Sequence, residues 1–237
     1  MSAKYWHRLS YECELWRQGF DLVAGVDEAG CAPLAGPVTA AAVVFPRAWC
    51  EAGLYSKLRG LNDSKQLTAE QREKYFAIIT GHAEIRYAIA HADVEMIDRI
   101  NIRQAAWQAM NMALDQLLPR AQHVLVDGLR IKWLAYPQTA LVQGDAKSYS
   151  IAAASVLAKV TRDRLMREYD KVYPGYGFAQ HKGYPTPAHY AAIKQLGPTP
   201  IHRRSFAPFR PVELELPLTE CPPPISSATL PANCPPA

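Results

Sequence analysis

One stretch constrains this chain more than any other: Leu22-Val-Ala-Gly-Val-Asp27-Glu28-Ala-Gly30-Cys31-Ala32-Pro-Leu-Ala-Gly36-Pro37. No polar side chain interrupts Leu22 to Val26, which predicts a strand covered on both faces rather than half-exposed. The strand delivers two adjacent acids, Asp27 and Glu28, then a turn of small residues. A second apolar run from Gly36 to Phe45 follows. Two acids at the end of a buried strand are costly unless positive charge meets them. A divalent cation meets that need, and so does a Lys or Arg partner. From this stretch alone a metal site stands level with an ordinary ion pair or a helix cap.

The chain of 237 residues can bury the core of one domain or of two small ones. Hydrophobic residues make up 49% and charged residues 20%, the balance of a soluble globular protein. No apolar run reaches the roughly 18–20 residues of a membrane helix. The N-terminal sequence MSAKYWHRLSYECELW has no signal-peptide core, so a cytoplasmic protein is expected. Five scattered cysteines, at 13, 31, 50, 221 and 234, include no C-x-x-C pair. They argue against a disulfide framework and against structural zinc.

Charge becomes informative when divided. The last 27 residues hold three Glu (213, 215 and 220) and no Lys or Arg. Removing those three charges from a net +4 leaves residues 1–210 at +7. A basic body suits a polyanionic partner such as nucleic acid, although charge alone fits a basic enzyme of another kind. Eight of the 19 prolines also lie from Pro211 onward, with no aromatic residue. This composition cannot repay its ordering entropy. The expected division is a folded body at 1–210 and a disordered, Pro-rich tail at 211–237.

Strand and helix signals alternate through the body. Residues 6–18 carry helical spacing stopped by Gly19, and strands are expected at 22–27 and 37–45. A loop holds Trp49, Tyr55 and Asn62-Asp-Ser64-Lys65. Thr68-Ala-Glu-Gln71 has capping-box form and opens a helix to about Thr80. A strand at 84–91, a short helix capped by Asp93 and a helix from Ile102 to Leu118 come next. His123-Val-Leu-Val-Asp127-Gly128 repeats the opening theme of a short apolar strand ending in an acid. Ala140-Leu-Val-Gln-Gly-Asp145 does so more weakly. A helix from Ser148 to Tyr169, a Gly- and aromatic-rich loop from Pro174 to Tyr184 and a helix over 186–196 complete an α/β layered pattern.

Three segments thus bring Asp27 with Glu28, Asp127, and Asp145 toward one edge of a sheet. Four carboxylates gathered there repel one another unless neutralised. Oxygen ligands without His or Cys select Mg²⁺ or Mn²⁺ over zinc. Two such ions about 3.5–4 Å apart are a standard device for phosphodiester cleavage. The plainer alternative is that Asp127 and Asp145 only begin turns. Other chemistries fail on detail: G-x-G-x-x-G, a P-loop lysine and G-x-S-x-G are all absent.

The joint pattern resembles one family, bacterial ribonuclease HII. It runs from Gly25-Val-Asp-Glu-Ala-Gly30 and Pro33-Leu-Ala-Gly-Pro37 through Asn62-Asp-Ser-Lys65, Val126-Asp-Gly128 and Gly144-Asp-Ala-Lys147. It continues with Ser150 to Arg164, His181-Lys-Gly-Tyr184 and His202-Arg-Arg-Ser-Phe206. These blocks keep family order across about 20–210. The resemblance implies a ribonuclease H-like fold, with a mixed central sheet, flanking helices and a helical C-terminal part. It implies a metal-dependent endoribonuclease that cleaves RNA paired to DNA, and ribonucleotides embedded in duplex DNA. The products carry 3′-hydroxyl and 5′-phosphate ends. By resemblance Asp27, Glu28, Asp127 and Asp145 bind two Mg²⁺ or Mn²⁺ ions. Ser64 and Lys65 match a phosphate-contacting loop, and Tyr184 an aromatic that packs on the sugar at an RNA–DNA junction. Lys147 and Lys182 add candidate phosphate contacts. The expected partner is nucleic acid, the expected state a monomer, and no membrane is involved.

One departure stands out. The family usually has Gly-Arg-Gly where this chain has Gly30-Cys31-Ala32. There, by resemblance, backbone groups hold the ribonucleotide 2′-hydroxyl and the arginine adds a phosphate contact. Cys31 supplies no guanidinium fork. Ala32 adds a methyl and resists a positive φ. Two alternatives follow: a hybrid-specific nuclease impaired at single ribonucleotides, and a hybrid-binding protein that does not cleave. Intact carboxylates argue against the second.

Overall fold

A computed structural model of the chain describes residues 7–210. The Pro-rich tail expected at 211–237 lies outside these residues. Five strands form one mixed sheet: β1 (Val23–Ala29), β2 (Val38–Val44), β3 (Arg86–Ala92), β4 (His123–Asp127) and β5 (Gln138–Leu141), in the order β3-β2-β1-β4-β5. The apolar opening strand takes the central place, where both faces are covered. β2 runs antiparallel to β1 and to β3, while β4 lies parallel to β1 and to β5.

The main helices are α1 (Ser10–Arg17), α2 (Ala69–Gly81), α3 (Val94–Ile100), α4 (Ile102–Asp115), α5 (Tyr149–Val172) and α6 (Pro187–Leu196). Side-chain caps fix five of their starts, among them α4, where Asn101 Oδ1 accepts from Gln104 N. Thr68 and Gln71 close a reciprocal capping box on α2. Asp93, Ser148 and Thr186 each accept a backbone N–H at the head of α3, α5 and α6. The sequence marked Thr68 and Asp93 as caps and placed helix starts at Ser148 and Thr186, and those four boundaries fall there.

Period-2 alternation sorts the strands between two cores. Ala24, Val26, Ala40, Ala42, Val124 and Val126 pack with Ala105, Ala109, Met110 and Ala113 of α4. Val23, Ala41, Val43 and Leu125 pack with Ile151, Ala154 and Leu157 of α5 on the other face. α5 sits very close to β1. A Cβ on Gly25 would lie 2.3 Å from the Ser150 carbonyl carbon and 2.4 Å from Ile151 N, so only glycine admits that first turn of α5.

A third, smaller core gathers Ala35, Met166, Tyr176, Phe178, Ala192 and Ile201. It docks the C-terminal helical part against the far half of α5. Inside it the buried rings of His189 and His202 meet Nε2 to Nε2 at 3.1 Å.

The structure departs from the sequence reading in places. Residues expected in a loop form a helical turn at Trp49–Ala52 and a 3₁₀ turn at Ser56–Leu58. There Trp49, Leu54 and Leu58 join the α5-side core, and burial overrides weak local propensity. A helical turn, Phe178–His181, interrupts the expected Pro174–Tyr184 loop because Phe178 is fully buried. α4 stops at Asp115 rather than Leu118, and α5 continues past Tyr169 to Val172. Among the described residues, no helix is long and apolar enough to cross a membrane.

Candidate active site

Strand register brings two of the acids together. β1 and β4 are parallel neighbours with Val26 beside Val126, so the next residues lie side by side: Asp127 ends β4, while Asp27 stands two residues before the end of β1. Alternation turns both toward the α5 side, with Val23 and Leu125, and turns Glu28 toward the α4 side, with Ala24 and Val26. Asp145 completes the set. One oxygen each from Asp27, Asp127 and Asp145 lie within 4.8 Å of one another. Glu28 stands across the strand edge and lines a groove with Cys31 and Asp127.

Asp145 arrives by a route that its sequence pattern did not suggest. β5 stops at Leu141, four residues short of it. Gln143 adopts a left-handed φ of 57°, and Asp145 rides on a helical turn, Gly144–Lys147. Two contacts lock that turn. Gly144 N donates to Asp127 Oδ1 at 2.6 Å, and the Arg8 guanidinium donates to the Asp145 carbonyl at 2.6 Å.

The electrostatics are those of an uncompensated acid cluster. Asp27 is only 6% exposed. Burial, then the charges of Glu28 and Asp127, push its pKa well above the usual carboxylate range, against donation from Ser155 and from Glu28 N. Burial also raises Glu28, with the Cys31 thiol opposing and Asp127 adding to the rise. Asp145 is raised to about 6 by burial, then by Asp127 and Asp63. Among the described residues, no Lys or Arg forms an ion pair with any of the four acids. An ion pair therefore does not account for the buried Asp27. The donor set is all carboxylate oxygen, which fits a hard divalent cation.

Two buried arginines shape the turn beside these acids. Arg203, with no exposed surface, donates to the carbonyls of Gly30 at 2.6 Å, Cys31 at 3.0 Å and Gly36 at 2.8 and 3.0 Å. Arg162 donates to Pro37 at 2.9 Å, Ala35 at 3.0 Å and Lys182 at 3.1 Å. Carbonyls of the 30–37 segment are thereby drawn inward. Gly30 takes φ +104°, and a Cβ there would lie 2.1 Å from Arg162 Nε. Ala32 is different. Among described non-glycine residues only Asn101, Gln143 and Lys182 have positive φ, so the expected backbone strain at Ala32 is absent and its methyl faces solvent. The Cys31 thiol lies 3.5 Å from Glu28 Oε1 as a donor. Burial and the nearby Glu28 push its pKa up to about 12.

The remaining sequence-selected residues divide. The Ser64 hydroxyl is buried and meets Ser155 Oγ at 2.9 Å, while Ser155 in turn supports Asp27. Lys65 does face the acids. Burial lowers its pKa, but Asp63, Asp27, Asp145 and Asp127 together raise it more. Lys147 is exposed, with Nζ folded back onto the Val142 carbonyl at 2.7 Å. Lys182 bonds the Ala179 carbonyl, and burial lowers its pKa. Tyr184 is 39% exposed, with Lys159 Nζ 5.9 Å from its ring centre, so it is no core tyrosine. Sequence reading did not single out Arg8, Arg162, Ser155 or the fully buried Glu12. Glu12 accepts bonds from Ser148 Oγ at 2.6 Å and Ser150 Oγ at 2.7 Å and ties α1 to α5. Their partners lie 53 to 138 residues away, apart from the 20-residue step from Arg162 to Lys182, and no local pattern marks them.

The family model described as Ribonuclease HII matches residues 24–209. A Ribonuclease HII of Anaeromyxobacter sp. (strain Fw109-5) is 51% identical over 228 residues, covering 94% of this chain and 69% of that protein. One from Myxococcus xanthus (strain DK1622) is 52% identical over 203 residues, covering 85% and 67%. Among solved structures, the ribonuclease H2 of Pyrococcus horikoshii OT3 superposes with a TM-score of 0.66 at 31% identity, covering 80% of this chain and 95% of that one.

Proposed function

The chain belongs to the ribonuclease HII family, and on that premise we propose that Asp27, Glu28, Asp127 and Asp145 form a divalent-metal site for RNA cleavage. The enzyme is an endoribonuclease, a ribonuclease H acting on RNA–DNA hybrids. The observation that carries the site is the convergence of Asp27, Asp127 and Asp145 oxygens within 4.8 Å, from three separate segments. Bound there, Mg²⁺ or Mn²⁺ would supply the positive charge that activates a water and stabilises the leaving 3′-oxygen.

The chain's own groups divide the rest of the work. The four acids would hold the cations, and with them the reacting phosphate at this edge of the sheet. Lys65, held protonated by the surrounding acids, adds positive charge beside that phosphate. The 30–32 turn, its carbonyls fixed by Arg203, leaves its exposed edge for the ribose. Tyr184 presents an exposed ring beside Lys182 and Gly183 for a sugar. Attack on phosphorus with loss of the 3′-oxygen leaves 3′-hydroxyl and 5′-phosphate ends. The same arrangement serves a continuous hybrid and a ribonucleotide within duplex DNA.

The test is cleavage of both duplexes after EDTA treatment, with Mg²⁺ or Mn²⁺ restored. Wild-type protein should cut both only with metal, and Asp127→Asn should cut neither while keeping its melting temperature. Cleavage persisting in EDTA, or at the wild-type rate in Asp127→Asn, would sink the proposal.

A further inference from the structure

Glu28 looks onto a groove that the catalytic reading does not use. Its catalytic end is formed by Glu28, Cys31 and Asp127, and its walls by Trp107 and Met110 of α4 and by Leu129. This cavity of about 340 Å³ shares Ile102, Arg103 and Trp107 with a second depression of about 540 Å³, which Lys132 and Trp133 close. The two make one continuous trough leading away from the carboxylates.

Three features say what the trough holds. It keeps a large apolar group in water at each end: Leu129, beside the acids, is 71% exposed, and Trp133, at the far end, 67%. Such surface on a folded domain marks a binding site. Trp107 and Trp133 meet edge to face, with ring centres 5.9 Å apart at 63°, a fixed aromatic platform. Beyond the two acids at the catalytic end, the charged lining residues are Arg103 and Lys132. Aromatic faces interleaved with cations bind sugar–phosphate chains and bases, the aromatics by stacking and the cations on phosphate. The trough is also continuous with a site that must position a phosphodiester.

We propose that this trough is a second nucleic-acid subsite, which takes the substrate as it leaves the carboxylates. Arg103 and Lys132 meet phosphates, and the Trp107–Trp133 pair packs against the sugars and bases of the flank. This rests on the ribonuclease reading of the carboxylate site. A protein partner on the same surface is the competing occupant.

The test uses the full chain with Trp133→Ala and with Arg103→Gln combined with Lys132→Gln, all at exposed positions. Three duplexes carry one cleavable ribonucleotide: one flanked on both sides, one trimmed on the 5′ side and one on the 3′ side. On the fully flanked duplex each variant should raise KM about tenfold or more, with kcat nearly unchanged. The difference from wild type should vanish on one trimmed duplex and persist on the other. Duplex affinity measured in EDTA should lose salt dependence in the double variant, the slope of log K on log salt falling by about 1.8 for two phosphates. Unchanged KM and salt slope, as a protein-docking face would give, overturn the proposal, and so does an equal loss on both trimmed duplexes. If wild-type protein failed to cleave any duplex, the ribonuclease reading would fall, while the affinity measurement would still decide the trough.

Discussion

The backbone N–H of Gly144 donates to Asp127 Oδ1 at 2.6 Å, one residue before Asp145. That bond joins the acid at the end of β4 to the turn that carries the third acid, so the two are positioned as one unit. A Cβ at residue 144 would lie 3.2 Å from Asp127 Oδ1 and 2.7 Å from Ile151 Cδ1. Ile151 can yield at its flexible tip, so Gly144→Ala should fold. The turn should shift by a few tenths of an ångström. Catalytic geometry is sensitive at that scale, and kcat should fall about tenfold or more with KM little changed. Wild-type kcat in this variant would show that the two acids are held independently.

Asp145 makes stability depend on pH in a definite direction. Its folded pKa, raised to about 6 chiefly by burial, lies above its ordinary value of 3.8. The folded state therefore holds the proton more tightly than the unfolded one. The associated stability is present in full below about pH 4 and is lost as pH rises through about 6. In EDTA, Asp145→Asn should raise the melting temperature at pH 8 and leave it unchanged at pH 4. Added Mn²⁺ should reverse the order at pH 8, because only the wild-type protein keeps the full ligand set. A melting temperature lowered by the substitution at pH 8 in EDTA would contradict the raised pKa.

Arg203 carries the turn at residues 30–36 on a single guanidinium that, among the described residues, forms no ion pair. Burial, then the nearby Arg162 charge, lower its pKa to about 9. Arg203→Lys keeps a charge but loses the planar fork, so it cannot hold Gly30, Cys31 and Gly36 together. Carbonyls left unpaired should cost about 3 kcal/mol or more, roughly 6–12 °C in Tm. KM for a single-ribonucleotide duplex should rise even at temperatures where the variant is fully folded. Wild-type Tm and KM in Arg203→Lys would show that the carbonyls find other donors.

Much of this was readable in the sequence because it depends on local pattern. The apolar run before Asp27 marked the central strand. Thr68, Asp93, Ser148 and Thr186 marked helix starts, since a cap bonds within three residues. The pairing of Asp27 with Asp127 followed from two similar strands each ending in acid. Asp145 was found by the same logic but placed wrongly, because β5 ends at Leu141 and a left-handed Gln143 redirects the chain. The supports of the site stayed hidden. Arg203 reaches Gly30 across 173 residues, and nothing near His202-Arg203-Arg204 says that the middle base is fully buried while Arg204 is exposed. Tertiary hydrogen bonds of that range leave no periodic trace.

Tyr184 tests the sugar-packing role apart from folding. Tyr184 is 39% exposed, with Lys159 Nζ 5.9 Å from its ring centre, so it contributes little burial. Tyr184→Ala should change Tm by a few degrees at most and weaken duplexes with one ribonucleotide by about 1–3 kcal/mol. A loss of about 3–5 kcal/mol in stability would instead mark a packed core aromatic.

The segment Gly30-Cys31-Ala32 separates two consequences of the departure from Gly-Arg-Gly expected by resemblance. Ala32 has an ordinary φ and an exposed methyl, and Arg203 holds the Cys31 carbonyl from behind. A backbone contact to a ribose from this turn should therefore not need glycine at residue 32. What the segment lacks is a charge at residue 31, where a thiol reaches Glu28 instead. Parent protein should thus cleave at a lone ribonucleotide, and Ala32→Gly alone should leave kcat/KM within about threefold. Cys31→Arg should lower KM by about tenfold through one charge-assisted phosphate contact, with kcat unchanged. The gain should be smaller on a long hybrid, where many registers compensate for a weaker contact. A tenfold rise in kcat/KM from Ala32→Gly alone would show that the methyl does obstruct the sugar. No gain from Cys31→Arg would show that residue 31 does not face a phosphate.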